Sequence, residues 1–223
     1  MELKPAVAVM AKVPGAVPVK SRLHAALTAE RATALYRCFL LDRLDALACV
    51  PGIAPVVAFA PAHAAVAMAA LAPAGFDLVP QHDGDLGERL TALLDGLLAA
   101  GHPGAIAMDS DSPTLPIAYV ARAAETLATG TADVVLGPCD DGGYYLVGIR
   151  VPRPALFDGI PWSTDAVLAT TLERARSLGA RVAVLPAWFD VDTEGDLRRL
   201  RTEMRGSDAA PPRTFAFLEA LYA

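Results

Sequence analysis

Short apolar runs alternate along this chain with segments whose apolar residues recur at helical spacing. That alternation is typical of a parallel sheet whose strands are joined by crossover helices. We predict strands at residues 6–11, 55–60, 76–79, 104–108, 133–137, 144–149 and 181–186, and helices at about 28–48, 62–71, 86–100, 117–129, 165–178 and after 192. The segment 138–143 between two of these strands is too short for a crossover helix, so we expect antiparallel or mixed pairing there.

The length of 223 residues fits one large α/β domain. We expect residues 1–205 to form that domain, and residues 206–223 to form a short linker and an apolar helix. This helix would pack on the domain or on the second subunit of a homodimer. No stretch approaches the roughly 20 uninterrupted apolar residues of a membrane span, so we expect a cytoplasmic protein without a membrane partner.

The net charge and the cysteine content limit the kinds of binding site that we expect in this protein. The net charge of -6 at pH 7 argues against a nucleic-acid surface, although a local basic cluster can still bind a small anion. The three cysteines, Cys38, Cys49 and Cys139, have no metal-ligand spacing. Their odd number is typical of reduced thiols, and we expect no zinc site.

A pair of carboxylates one residue apart, Asp109 and Asp111, directly follows the apolar run 104–108. These side chains would lie at the carboxyl end of a buried strand, where open α/β sheets bind ligands. Such a pair can converge on one Mg²⁺ together with substrate phosphates. The same residues are equally typical of a solvated turn before a helix. Asp192, at another strand end, is a third candidate ligand, although it can also cap the last helix.

The loop after the first strand is basic in an otherwise acidic protein. Lys12, Lys20 and Arg22, with Ser21 beside them, lie in a segment that also contains two prolines. Cations at the carboxyl end of a strand suit the phosphates of a nucleotide. Loop cations are nevertheless more often only solvated. The loop lacks the Gly-Lys-Ser/Thr ending of a Walker A motif.

The segment after the third strand offers two candidate binding residues. Gln81 has an amide that can read a base edge, and Gly87 allows a ligand close to the backbone at a helix start. Plain turn chemistry explains both residues as well.

A glycine-rich hairpin turn supplies the candidates for an acceptor pocket. The glycines themselves need no functional reason. Only one of Tyr144 and Tyr145 can face the core, because strand side chains alternate, and the other is available to a substrate. The full set of acceptor candidates is Asp141, Gly142, Gly143, Tyr144, Tyr145, Trp162, Ser163 and Thr164.

Taken in order, these segments resemble the nucleotide-diphospho-sugar transferase superfamily, which has the GT-A fold. The likeness is greatest to its DUF2064 family of small bacterial proteins associated with radical-SAM and arsenosugar gene neighbourhoods, and more distant to guanylyltransferases of the phospholactate type. The matching motifs are Lys12 with Pro14, Lys20-Ser21-Arg22-Leu23, Gln81, Leu86-Gly87-Glu88-Arg89, Asp111-Ser112-Pro113, Gly137-Pro138, Asp141-Gly142-Gly143-Tyr144-Tyr145, Trp162-Ser163-Thr164 and Asp190-Val191-Asp192-Thr193. Two departures are the early position of Gly15 in its loop and Asp109 in place of a small residue.

The resemblance implies a single-domain, Rossmann-like GT-A fold with a mostly parallel central sheet, helices on both faces and a small mixed β extension. It also implies a Mg²⁺ or Mn²⁺ cofactor on Asp111. From their own positions in the chain we expect Asp192 as a further ligand, and Asp109 either as an extra ligand or as part of a local turn. The residues expected to bind the nucleotide are Lys12, Lys20, Ser21, Arg22, Gln81 and Gly87.

Because this fold serves both glycosyl and nucleotidyl transfer, the resemblance leaves the reaction open. We expect glycosyl transfer from a nucleotide-diphospho-sugar to a small acceptor, with Asp111 and Asp141 as catalytic residues. The alternative is nucleotidyl transfer from a nucleoside triphosphate to a small phosphorylated acceptor with release of pyrophosphate. A nucleotide-binding module without catalysis is the third hypothesis.

Overall fold

The computed structural model of the protein describes residues 3–207 and 209–222. Within these residues seven strands form one sheet: β1 (Ala6–Lys12), β2 (Ala54–Ala60), β3 (Asp77–Pro80), β4 (Ala105–Met108), β5 (Val134–Pro138), β6 (Tyr144–Ile149) and β7 (Val182–Val184). Their order across the sheet is β3-β2-β1-β4-β6-β5-β7. β6 is antiparallel to its neighbours β4 and β5, and the other adjacent pairs are parallel. The prediction of a mostly parallel sheet with a mixed extension is confirmed.

The same described residues contain seven α-helices: α1 (Ala29–Ala48), α2 (Ala65–Ala69), α3 (Leu86–Ala99), α4 (Ile117–Ala128), α5 (Val167–Ser177), α6 (Glu194–Arg205) and α7 (Pro212–Leu221). Side-chain caps set some of the starts: Asp85 forms a capping box with Glu88, and Thr193 forms one with Asp196. α2 is shorter than the predicted 62–71, because its first turn (Ala62–Ala64) is a 3-10 turn and its start has no side-chain cap.

Successive residues of β1 point to opposite faces of the sheet. Val7 lies in a buried cluster with Leu44 of α1 and Val120 of α4. Ala8, the next residue, lies in a separate cluster with Leu94 of α3. Helices therefore cover both faces, as predicted, and the alternation of apolar side chains along each strand builds two cores.

A third apolar cluster joins α1, α6 and α7. Asp42 of α1 holds the start of α7: its carboxylate accepts hydrogen bonds from the N–H and the hydroxyl of Thr214, both at 2.8 Å. Arg213 adds an ion pair to Asp42 at 3.1 Å. The apolar tail thus packs on α1 of its own chain, and a second subunit at this place stays a prediction.

α1, with 20 residues, is the longest helix in the described part of the chain, and it carries charged residues on its buried side, among them Asp42 and Arg43. No helix of that part is long and apolar enough to span a membrane.

The loops that carry the candidate residues meet at one edge of the sheet. β1, β4, β5 and β7 run in the same direction, so the segments after them leave the sheet at the same edge, and the turn into β6 lies there too. Backbone contacts tie these segments together: Cys139 pairs with Trp188, and Val191 N–H donates to Asp111 C=O at 3.1 Å. Open α/β sheets bind their ligands at this kind of edge.

Candidate functional site

Charged side chains from three separate segments meet at this edge. Lys20 Nζ, from the loop after β1, lies 2.9 Å from Asp111 Oδ1 and 3.0 Å from Asp192 Oδ1. Asp111 follows β4, and Asp192 follows β7. Arg22 Nη1 lies 3.1 Å from the second oxygen of Asp192. One ammonium is therefore shared by two carboxylates that lie far apart in the sequence.

The local backbone brings Lys20 to this position. Its φ of 49° and ψ of 41° are left-handed, which is uncommon for a residue other than glycine, and they lead into the 3-10 turn Ser21–Ala25. The side chain is only 3% exposed. Burial by itself lowers the pKa of Lys20, but the carboxylates of Asp111 and Asp192 outweigh this effect and the pKa rises above its usual value. Lys20 is therefore charged.

A pocket of about 300 Å³ opens beside Lys20, and we call it the basic half of the site. Arg22 is 71% exposed at its side chain, so its guanidinium can turn towards a ligand. The polar residues that define the basic half are Lys12, Lys20, Ser21, Arg22, Tyr36, Gln81, Arg89 and Ser110, with Asp111 and Asp192 at its boundary.

Hydrogen bonds of Tyr36 and Ser110 connect the ends of β1 and β4 beneath the basic half. The Tyr36 hydroxyl accepts a hydrogen bond from Lys12 N–H at 3.0 Å and lies 3.0 Å from the Ser110 hydroxyl. Ser110 donates in turn to Met10 C=O at 3.1 Å. Burial, and then the Asp111 charge, raises the pKa of Tyr36, so the phenol stays protonated and acts as a donor to Ser110.

Gln81 lines the basic half, but its amide has partners in the protein. Nε2 donates to Ala58 C=O at 2.6 Å and to Ala11 C=O at 3.3 Å. Oε1 accepts a hydrogen bond from Arg89. The side chain thus links β1, β2 and α3. Both Nε2 hydrogens are engaged, and Oε1 can still accept one more hydrogen bond, for example from a base edge. Its role in base binding stays a prediction.

Gly87 lies outside the basic half. A Cβ at this position would lie 3.2 Å from the Phe157 carbonyl oxygen and 3.2 Å from Trp162 Nε1. A glycine therefore allows α3 to pack closely on the segment 157–162. The structure places Gly87 beside the acceptor candidates instead of beside Lys20 and Gln81, because it lies on the side of α3 that faces this segment.

A second pocket of about 360 Å³ adjoins the first, and we call it the acidic half. Asp111 and Asp192 line both halves. Of the described residues that line the acidic half, Arg22 alone is basic. The residues that define it are Asp109, Asp111, Cys139, Asp141, Gly143, Tyr144, Trp162, Ser163, Thr164, Asp190 and Asp192.

Asp109 is an enclosed carboxylate of the acidic half. Oδ2 accepts a hydrogen bond from Ser112 Oγ at 2.7 Å. Oδ1 is inaccessible to solvent and has no hydrogen-bond partner among the described residues. Burial, and after it the charge of Asp111, raises the pKa of Asp109 to about 7. The carboxyl group is therefore partly protonated at neutral pH.

Asp190 and Cys139 lie in the same acidic environment. Burial, followed by the charges of Asp192 and Asp141, raises the pKa of Asp190 to about 6. Burial, followed by the Asp109 and Asp190 charges, raises the pKa of the Cys139 thiol. One ligand atom each from Cys139, Asp141 and Asp190 lie within 4.8 Å of one another. The acidic half therefore holds more acidic groups than its cations can neutralise.

A buried arginine supports the acidic motif from α1. Arg43 is 2% exposed and donates to Leu115 C=O at 3.1 Å and to Ser112 C=O. Burial lowers the pKa of Arg43 to about 10, while the charges of Asp109 and Asp42 act in the opposite direction. The guanidinium thus holds the turn that follows β4.

The two neighbouring tyrosines of the hairpin point to opposite faces of the sheet, as successive residues of a strand do. Tyr145 is 1% exposed, and its hydroxyl donates to Pro186 C=O at 3.0 Å. Tyr144 lines the acidic half and meets Trp162 edge to face, with ring centroids 6.3 Å apart. The predicted acceptor contact therefore rests on Tyr144, because the Tyr145 ring lies in the core.

The two glycines of the hairpin have different structural tasks. Gly142 has a φ of 88°, and a Cβ there would lie 2.2 Å from the Asp165 carbonyl oxygen. It therefore permits a close approach of two loops. Gly143 N–H donates to Asp141 Oδ1 at 2.8 Å and so orients that carboxylate in the acidic half.

Ser163 and Thr164 also line the acidic half, where Ser163 adopts a positive φ of 65°. The Thr164 hydroxyl donates to Pro161 C=O at 2.7 Å, which holds the segment before α5 in a turn. Their contact with an acceptor stays a prediction.

Sequence reasoning missed several residues of the site. Arg89 and Asp190 belong to motifs that had been recognised, and their nearness to Gln81 and Asp192 in the chain was a usable signal. Tyr36 carries no such signal, because it reaches the pocket from the middle of an ordinary amphipathic helix. The missed residues that line the two halves are Tyr36, Arg89, Ser110, Cys139 and Asp190.

Asp111 and Asp192 are well placed to hold a divalent cation, because they already converge on one ammonium. Carboxylate oxygens are the ligands that Mg²⁺ and Mn²⁺ prefer. Asp109 lines the same acidic half, and its Oδ1 has no hydrogen-bond partner in the described part of the chain. The donor chemistry of these residues therefore fits the expected ion.

Comparison with known proteins agrees with this fold. A family model described as "Uncharacterized protein conserved in bacteria (DUF2064)" matches residues 43–164. A solved structure from Desulfovibrio desulfuricans G20, described as a candidate nucleotide-diphospho-sugar transferase, is similar at 31% identity with a TM-score of 0.90, over 98% of this chain and 96% of that one. No curated protein matches the chain.

Two more distant structures are similar in fold alone. CMP:2-keto-3-deoxy-manno-octonic acid synthetase complexed with CTP has 15% identity and a TM-score of 0.58, over 91% of this chain and 99% of that one. Rv0371c from Mycobacterium tuberculosis H37Rv, complexed with manganese, has 20% identity and a TM-score of 0.50, over 88% and 97%. The family match over more than half of the chain and the relative at 31% identity lead to one conclusion: this protein belongs to the DUF2064 family and has the fold of the nucleotide-diphospho-sugar transferases.

Proposed function

We propose that this protein is a metal-dependent transferase that moves a glycosyl group from a nucleotide-diphospho-sugar to a small acceptor. The observation that carries the proposal is the division of the site into a basic half and an acidic half that share Asp111 and Asp192. Each half suits one reactant. The class of the similar Desulfovibrio protein supports a nucleotide sugar as the donor.

The diphosphate of the donor would lie in the basic half. Lys12, Arg22 and Arg89 bring positive charge to this pocket. Charge-assisted hydrogen bonds from such side chains to phosphate oxygens are about twice as strong as neutral ones. A further pocket of about 790 Å³ continues past Lys12, Gln81 and Arg89 and offers room for the nucleoside.

Asp111 and Asp192 would hold Mg²⁺ or Mn²⁺ between the two halves, with Asp109 as an additional carboxylate. When bound, the ion neutralises charge on the diphosphate leaving group. Lys20 keeps the two carboxylates together and adds a positive charge beside the phosphates. This arrangement would stabilise the leaving group from both the metal side and the lysine side.

The acidic half suits an acceptor hydroxyl better than an acceptor phosphate. Its lining is rich in aspartates, so a phosphorylated acceptor would be repelled there. Tyr144 and Trp162 offer an aromatic surface for the body of the acceptor. Asp141, oriented by Gly143 N–H, is the proposed general base for the hydroxyl.

Nucleotidyl transfer from a nucleoside triphosphate is the second candidate reaction, and one observation favours it. Lys12, Lys20, Arg22 and Arg89 all line one pocket of about 300 Å³, a set of cations that suits three phosphates as well as two. A phosphorylated acceptor would still have to enter the acidic half, so we place this reaction second.

Product analysis separates the two reactions. The purified protein is incubated with Mg²⁺ or Mn²⁺, a panel of small acceptors, and either nucleotide sugars or GTP, CTP and UTP. Release of a nucleoside diphosphate supports glycosyl transfer, whereas release of pyrophosphate supports nucleotidyl transfer and overturns the first proposal. Asp111→Asn serves as the matched inactive control. If neither product exceeds this control, the proposed activity is wrong.

A further inference from the structure

We propose that Cys139, Asp141 and Asp190 form a second divalent-cation site, in the acidic half, for a thiophilic ion of the Zn²⁺ class. One ligand atom from each lies within 4.8 Å of the other two. In a tetrahedral zinc site with bonds of about 2.0–2.3 Å, neighbouring ligand atoms lie about 3.3–3.8 Å apart. Small side-chain rotations are therefore enough to close the site around an ion.

The main chain holds the two loops that supply these ligands. Cys139 pairs with Trp188 in a β-bridge. Asp140 N–H donates to Trp188 C=O at 3.0 Å, and Trp188 N–H donates to Pro138 C=O at 2.9 Å. Asp190 lies two residues further along the second loop. The spacing between the thiol and the carboxylates is thus set by backbone contacts between the loops.

A fourth carboxylate, which is also the additional carboxylate of the Asp111 and Asp192 site, lies in the acidic half. Asp109 directly follows β4 and lines the same pocket as the three proposed ligands. Its Oδ1 is inaccessible to solvent and has no hydrogen-bond partner among the described residues. A buried carboxylate oxygen without a donor carries a desolvation cost, which a cation in the acidic half offsets.

The donor set selects the ion. Mg²⁺ takes oxygen ligands, whereas a cysteine thiolate suits Zn²⁺, Co²⁺ and Cd²⁺. On binding, a bond forms between Cys139 sulfur and the metal, and the thiol proton passes to solvent. Three protein ligands leave a coordination position for water or for an acceptor group. The site therefore differs in chemistry from the Asp111 and Asp192 pair. An ion bound here takes Asp141 as a ligand and would compete with the general-base role proposed for that carboxylate.

Cobalt spectroscopy tests the proposal. Metal-stripped protein is titrated with Co²⁺, and thiolate-to-cobalt charge-transfer absorption is recorded in the near ultraviolet. We expect one equivalent of Co²⁺ to produce this absorption in the wild type, in Asp111→Asn and in Cys49→Ser, whose exposed thiol is the matched control. Cys139→Ser should abolish the absorption, and Asp190→Asn should weaken Co²⁺ binding at least ten-fold.

Absorption that persists in Cys139→Ser, or that is missing from the wild type, overturns the proposal. If Cys139→Ser does not fold, Asp190→Asn decides the question through melting temperature, because an ion that binds only the folded state stabilises it. Zn²⁺ should raise the melting temperature of the wild type more than that of Asp190→Asn, in which only the Asp111 and Asp192 pair remains to bind the ion. An equal rise in both proteins contradicts the site.

Discussion

Lys20 Nζ lies 2.9 Å from Asp111 Oδ1, and the lysine side chain is almost wholly enclosed. A buried ammonium needs a counter-charge, and here the acidic motif after β4 supplies it. The pair therefore explains why the basic loop and the acidic motif occur together: each neutralises the other. In the proposed reaction, Asp111 and Asp192 would hold the metal, and Lys20 would provide a positive charge for a donor phosphate.

Asp111→Asn should abolish metal-dependent nucleotide binding and leave the melting temperature nearly unchanged, because the side chain is 37% exposed and Asp192 still pairs with Lys20. Calorimetric titration with nucleotide in the presence of Mn²⁺ measures the first effect. Asp140→Asn is the control, since Asp140 pairs with Arg199 outside both halves. Intact metal-dependent affinity in Asp111→Asn would make this carboxylate purely structural.

Arg22→Ala should weaken nucleoside diphosphate binding about ten-fold or more, since a hydrogen bond to a charged group contributes roughly 1.5–3 kcal/mol. Lys20→Ala should weaken binding at least as much. Added salt should reduce the affinity of the wild type more than that of either variant. Arg31→Ala, on the exposed side of α1, is the control. Equal affinity for a nucleoside and its diphosphate would contradict the proposed phosphate contact.

Asp141→Asn should keep nucleotide affinity within about two-fold and lower turnover by roughly a hundred-fold, the usual contribution of a positioned general base. Calorimetry measures the affinity and a product assay measures the turnover. Asp140→Asn, the neighbouring exposed carboxylate, should keep both. A large loss of nucleotide affinity would instead assign Asp141 to the donor side.

Arg43→Met should lower the free energy of unfolding by about 3–5 kcal/mol, the range for breaking a buried charged contact by removal of one partner. The Ser112 and Leu115 carbonyls would lose their donor, and Asp109 would lose the buried positive charge that lowers its pKa. Urea unfolding measures the loss. A loss below about 1 kcal/mol, typical of an exposed ion pair, would contradict the supporting role of Arg43.

The raised pKa of Asp109 predicts a pH dependence of stability. Burial moves the pKa from about 3.9 in the unfolded chain to about 7 in the fold, so the folded state binds the proton more tightly between these values. The buried, ionised Asp109 lowers the free energy of unfolding; this cost is absent below about pH 4 and complete above about pH 7. Asp109→Asn should therefore lose less stability than the wild type across this range, by an amount on the order of 1–4 kcal/mol.

Urea unfolding in the presence of a chelator, at several pH values from about 4 to 8, measures this difference. Asp133→Asn is a control without pH dependence in this range, because the hydrogen bonds from Arg181 lower the pKa of Asp133. That carboxylate contributes a constant amount of stability above its unfolded pKa of about 3.9, and the contribution is lost only below that pH. Parallel pH profiles for wild type and Asp109→Asn would contradict the raised pKa.

Much of the fold follows from local pattern. The strand predicted at 144–149 is β6 (Tyr144–Ile149), and the helix predicted at about 28–48 is α1 (Ala29–Ala48). Apolar periodicity is a property of neighbouring residues, so the chain alone reveals it. The strand predicted at 181–186 is shorter in the structure, β7 (Val182–Val184), which lies at the edge of the sheet and pairs with β5.

The sequence by itself determined the fold class and the charged segments that follow the strands. Both depend on the spacing of apolar residues and on the charges of neighbouring residues, which can be read from the chain without its tertiary structure. Only the tertiary structure decided which groups meet. It placed the Lys20 ammonium between Asp111 and Asp192, and it engaged the Gln81 amide with the backbone of β1 and β2. These partnerships join residues far apart in the chain, so they depend on strand order and on loop conformations such as the left-handed backbone of Lys20, which no local pattern specifies.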